Sequence, residues 1–289
     1  MPTDAAFALL NDVAQPWRDE LVRRALLEVT LLGIAGGALG CWVVLYGLSY
    51  GAESLAHGMF PGLVAAALRG VPVLLGGAVG ILAAALGVAL AGRVPVIGRD
   101  TAIAVVVTAL FGLGVLLALT PESPPGIQGL LFGDVLGVTD GDLALAAGLD
   151  LLVVGALWLL HPRLLVAGFD PLNARSLGVS PAVMDAAVLV LLALTVVVAV
   201  QGLGNLLVVA ILVGPAATAR LLTRRAAPMM AAGAAVAVAG GIAGLYVSYY
   251  ADTAAGASVA GSIVILYLAA LAAATNLRAH GRRVRDQLA

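Results

Sequence analysis

Apolar runs long enough to cross a lipid bilayer recur from position 25 to position 277, and this constrains the chain more than any other property. About 20 consecutive apolar residues span the hydrocarbon core. Nine such runs are read here, at 25–47, 53–69, 72–92, 101–119, 141–160, 182–200, 204–222, 229–250 and 258–277. The composition agrees, with 62% hydrophobic and 11% charged residues and a mean hydropathy of +1.09. A soluble domain carries roughly 25% charged residues. The expected fold is an all-α, polytopic transmembrane helix bundle. The second run is short and contains Pro61-Gly62, so it reads as broken or re-entrant, and the count becomes eight if it does not cross. The chain divides into an N-terminal interfacial segment (1–24), a membrane domain (25–277) and an Arg-rich tail (278–289).

Several function classes fall away early. The net charge is -1, which gives no footprint for nucleic acid. One cysteine, Cys41, excludes an internal disulfide and a cysteine metal cluster. All 15 basic residues are Arg, so a Lys-bearing phosphate loop is absent and ATP, if used, must be hydrolysed on another chain. There is no Gly-x-Ser-x-Gly and no His-Glu-x-x-His, which argues against an embedded hydrolase. The first twenty residues hold Asp4, Asp12, Asp19 and Glu20 and lack the basic start and apolar core of a signal peptide. Trp17 beside Pro16 and Arg18 reads as an interfacial anchor.

Arg placement sets the expected orientation, because cytoplasmic loops are enriched in it. With the N-terminus outside and nine crossings, eleven of the fifteen Arg fall inside. Arg18, Arg23, Arg24 and Arg69 fall outside. The outside loop 120–140 has no Arg but has Glu122, Asp134 and Asp140. The C-terminal tail is then cytoplasmic. The longest inside loop, 161–181, contains Asp170-Pro171 and Gly178, a cap, a helix start and a stop. A short helix over 170–177 suits docking of a soluble partner, and it also suits a plain connection.

The chemistry concentrates in Glu53 and His57. Their spacing of four puts both on one helix face. Ionisable groups inside a membrane are costly unless they face a bundle interior, a cavity or a cation. Carboxylate plus imidazole is also a good ligand pair for a first-row divalent metal. The pair reads as a cation site on a transport path, against the plainer reading of a helix–helix contact. Asp252 and Asp134 are candidate supplements, with Gln201 and Asn205 weaker ones. Asp252 reads equally as a turn aspartate. Pro215, in Gly214-Pro215-Ala216-Ala217-Thr218, kinks the seventh run, either as a pore-lining hinge or as a packing kink. His161 and His280 sit at span ends and are read as interfacial. Asp150 and Asp185 are assigned no chemistry.

Six ordered motifs carry a resemblance across roughly 25–275. They are residues 49–62 with Glu53, His57 and Pro61-Gly62; Arg99-Asp100-Thr101-Ala102-Ile103; Leu130-Leu131-Phe132-Gly133-Asp134-Val135-Leu136; residues 169–178; Pro215 with Ala216-Ala217-Thr218-Ala219-Arg220; and residues 248–256 with Asp252. In these the chain resembles the permease subunits of ATP-binding-cassette importers for zinc, manganese and iron. The resemblance implies a homodimeric permease in a bacterial inner membrane. It also implies a cytoplasmic ATP-binding subunit, docked at 170–177, and an extracytoplasmic metal-binding receptor. By the same resemblance Glu53 and His57 coordinate the metal in transit, Zn2+ or Mn2+, and the chain itself is no enzyme. Two departures stand out. Glu53 replaces the usual Asp, and Tyr46-Gly47 replaces the basic residues that usually precede the motif. A proton-coupled secondary carrier, with Glu53 and His57 as a relay, is the competing expectation.

Overall fold

The computed structural model describes residues 15–91, 99–121 and 137–287. The elements among them are helical: α1 (Glu20–Leu45), α2 (Ser49–Gly58), α3 (Phe60–Leu68), α4 (Val73–Ala91), α5 (Arg99–Ala118), α6 (Asp140–Phe169), α7 (Pro171–Ser176), α8 (Pro181–Leu222), α9 (Ala226–Ala251) and α10 (Ala255–Gln287). Among the described residues, five stretches are long and apolar enough to cross a membrane: Glu20–Leu45, Asp140–Phe169, Pro181–Val200, Ala226–Ala251 and Ala255–Asn276. Val73–Val88, Ile103–Ala118 and Leu207–Leu222 are shorter apolar helices.

Local sequence explains where the helices begin. Asp19 caps α1, its Oδ1 accepting from the Leu21 N–H at 3.0 Å and the Val22 N–H at 3.5 Å. Thr139 and Asp142 form a reciprocal capping box at the start of α6. Asp170 accepts from the Asn173 N–H at 3.0 Å and Pro171 opens α7, as the sequence predicts. Gly178, at φ 76°, then reverses the chain.

α1 is the central post. It packs against α9, α8 and α6, and it buries Leu26, Leu32, Leu39 and Trp42 completely. Its approach to α9 needs the absence of side chains. A Cβ on Gly37 would lie 2.5 Å from the Gly233 carbonyl oxygen, and Gly233 meets Gly37 in the same way. Exposed apolar surface lies elsewhere: on α6, Trp158 is 80% and Leu151 77% exposed. Near the start of α1, Arg24 joins α1 to α6, reaching Asp140 at 3.2 Å and Glu20 at 2.7 Å. That employs one of the Arg which the charge rule leaves on the outer side.

Two differences from the sequence reading concern continuity. The runs at 182–200 and 204–222 are not joined by a loop. They form one helical element of 42 residues, interrupted at Gly204 where φ is 74° and ψ 160°. A straight helix of that length would extend about 63 Å, twice the hydrocarbon thickness, so the element must bend. The bend falls on Gly204 because such backbone angles strain any other residue. Pro215 is carried within the helix, and the non-helical backbone inside α8 is at Gly204 rather than there. The second run is indeed broken: α2 ends at Gly58, α3 starts at Phe60, and Met59 is the junction.

Candidate metal centre

The centre is built on α2. This helix is short, and its N-cap residue Leu48 makes no side-chain cap. Its stability therefore comes from packing. α2 lies against α8, α5 and α4, while α3 lies against α4 and α5. Gly62 and Gly76 bring the α3 and α4 backbones into contact. Ser54 Oγ donates to the Tyr50 carbonyl at 2.6 Å, tying the α2 backbone one turn above the pair.

On this support the spacing of four does what the sequence predicts. His57 Nε2 lies 4.0 Å from Glu53 Oε1, and the side chains are 21% and 51% exposed respectively. The gap exceeds a hydrogen bond. One imidazole nitrogen and one carboxylate oxygen thus face a common point from one helix. The His57 ring is steadied from α5, where Phe111 meets it edge-on, with centroids 5.0 Å apart and planes at 62°. Phe111 also packs on Phe60 at 5.6 Å, so the same ring spans the α2–α3 break. Sequence reading passes over Phe111 because an aromatic in an apolar run carries no signal of its neighbours.

The other candidates separate. Asp252 ends α9 in the left-handed conformation, at φ 51°, exposed. With Asp19, Ser248, Tyr249 and Thr253 it lines an open cleft of about 280 Å³. Neither Glu53 nor His57 lines that cleft. Asp134, like the rest of 122–136, lies outside the described residues, as do the side chains of Gln201 and Asn205. Among the described residues no group of three or more His, Cys, Asp or Glu is gathered around one point. Among the described residues, Glu53 and His57 are the pair of these types brought together on α2.

The remaining acids and histidines have structural surroundings. His161 meets Trp42 edge-on at 5.5 Å within the α1–α6 packing. Asp185 is exposed, and Asp150 has one carboxylate oxygen buried without a partner. Tyr46, standing where the resembling family has a base, donates its hydroxyl to the Leu164 carbonyl at 2.9 Å and so ties α1 to α6. Glu28 is a buried carboxylate that the sequence reading omits. An acid inside the apolar run 25–47 was the available signal.

Comparison with known proteins agrees with this architecture. Residues 18–274 match the profile of the ABC 3 transport family. The manganese transport system membrane protein MntC of Listeria monocytogenes is 33% identical over 249 residues, covering 86% of this chain and 89% of that protein. A probable iron transport system membrane protein of Haemophilus influenzae is 31% identical over 245 residues, covering 85% and 90%. Among solved structures, PsaBC from Streptococcus pneumoniae in complex with Fab superimposes with a TM-score of 0.83 at 27% identity, covering 91% and 95%. The match to a family profile over most of its length, on a fold that superimposes over nine-tenths of the chain, makes this protein a member of the ABC 3 transport family.

Proposed function

We propose that this protein carries a divalent metal through the membrane as the permease subunit of an ATP-driven importer, with Glu53 and His57 as ligands in transit. The membrane permease role follows from the family, and relatives named for manganese and iron transport favour it over a proton-coupled secondary carrier. ATP hydrolysis then belongs to a separate subunit. Manganese and iron are the better supported cargoes by those names; zinc remains compatible with the ligand types.

The observation that carries the site is the convergence of a carboxylate and an imidazole at 4.0 Å on a short, packing-supported helix. Two protein ligands make a weak site, which suits an ion that must leave again. The half-exposed Glu53 side chain leaves room for a second copy to contribute its own pair, so we favour a homodimer. Orientation follows the Arg asymmetry, with the tail inside. The exposed Leu172 and Leu177 of the α7 region form the contact for the ATP-binding subunit, and the Asp252 cleft faces the receptor side.

The test is uptake of radioactive manganese by cells expressing the intact transporter. The double variant His57→Ala, Glu53→Gln should lose at least about tenfold in uptake, as removal of both ligands requires, while membrane abundance stays constant. Glu53→Asp should keep part of the activity, because charge and ligand type persist. Near-normal uptake by the double variant would reduce the pair to a bundle contact.

A further inference from the structure

Glu28 lies on α1 one turn below Arg24, and its side chain is turned inward where α1, α6 and α8 meet. The residue is 2% exposed, and Oε2 has no hydrogen-bond partner. The carboxylate rests on Gly202 of α8 so closely that a Cβ there would overlap both of its oxygens. Gly202 is two residues before the break at Gly204. Where a helix is interrupted, the carbonyls of its last turn lose their N–H partners and present negative partial charge.

Among the described residues no cation pairs with this carboxylate. On α1, Arg24 is engaged with Glu20 and Asp140. From α6 the nearest ionisable group is Asp142, which acts on Glu28 electrostatically and is itself held by the Thr139 N–H and hydroxyl at 2.9 and 2.6 Å. Between Asp185 and Arg220, α8 has no ionisable side chain, and α9 offers only Tyr246, Tyr249 and Tyr250. Among the described residues, the charged group that acts on Glu28 is thus a second carboxylate. An unpaired buried charge costs several kcal/mol. A bound hydrogen removes that cost in the least space, and contact with Gly202 leaves little on that side.

We propose that Glu28 is a proton-binding site, a carboxyl that keeps its proton between α1, α6 and α8 and releases it only when the break in α8 moves away. Bound, the proton turns an acceptor into a neutral group that can donate beside Gly202, and so holds the broken helix against the central post. The ligand is a proton, distinct from the transported metal, and the proposal does not depend on the roles given to Glu53 and His57.

Infrared difference spectroscopy of the full-length permease in lipid nanodiscs tests it. At neutral pH the wild type should show the C=O stretch of a neutral carboxyl that disappears in Glu28→Gln, and the amide, which mimics the protonated acid, should leave the melting temperature unchanged. If Glu28→Gln does not fold, Glu28→Asp keeps the acid and should shift that band. A wild-type spectrum with no neutral-carboxyl band altered by substitution would overturn the proposal. So would a melting temperature that rises with Na+ or Mn2+ in the wild type and not in Glu28→Gln, which would make the site one for a metal cation.

Discussion

At the scale of single residues, this protein depends as much on missing side chains as on present ones. Gly37 and Gly233 let α1 and α9 touch backbone to backbone. A methyl group on Gly37 would meet main-chain atoms, which cannot rotate aside as a flexible side chain can. Overpacking of that kind costs about 1–3 kcal/mol. Gly37→Ala should therefore lower the melting temperature of the purified protein by several degrees, read by intrinsic fluorescence of the three tryptophans. An unchanged melting temperature would mean that the two helices separate freely. The proposed ligand pair belongs to the same scale. Glu53 and His57 were legible from spacing alone, because four residues make one helical turn. Phe111 and Glu28 were not, since their roles are set by residues distant in sequence: His57 for the first and Gly202 for the second.

At the scale of elements, α7 is a short helix defined by its ends. Asp170 caps it, Pro171 starts it and Gly178 stops it. The tertiary structure separates its two faces. Ala174 is completely buried against its own chain, whereas Leu172 and Leu177 are 81% and 63% exposed. Ala174→Asp would thus damage the permease itself. Leu172→Asp with Leu177→Asp should instead leave the permease folded and reduce co-purification of the ATP-binding subunit by at least about tenfold, since apolar anchors dominate such contacts. Intact assembly of that double variant would assign α7 to a plain connection. α8 makes the complementary point. Its two apolar runs were legible, but their union across Gly204 was not, because φ above zero at one glycine is decided by the packing on either side.

At the scale of the whole molecule, the orientation proposal has its own check. A cysteine at Ser123, in a Cys41→Ala background, should react with a membrane-impermeant thiol reagent in intact cells. Cys41 itself is fully buried beside Met229 and does not compete for reagent. Labelling only after lysis would reverse the topology.

What the sequence determined by itself was the class of molecule, an all-α membrane bundle. Runs of about 20 apolar residues allow little else. The helix start at Asp170 and the shared face of Glu53 and His57 were equally within its reach, because each depends on neighbours within one turn. Only the tertiary structure decided that α1 is the central post, that α8 bends without a loop, that Asp252 opens on a cleft separate from Glu53 and His57, and that Glu28 is sealed against Gly202. In an almost uniformly apolar chain, hydropathy states that a residue is in the membrane and not which neighbour it meets. That choice rests on close packing, where a missing Cβ brings two backbones together and one unpaired carboxylate marks the place where three helices join.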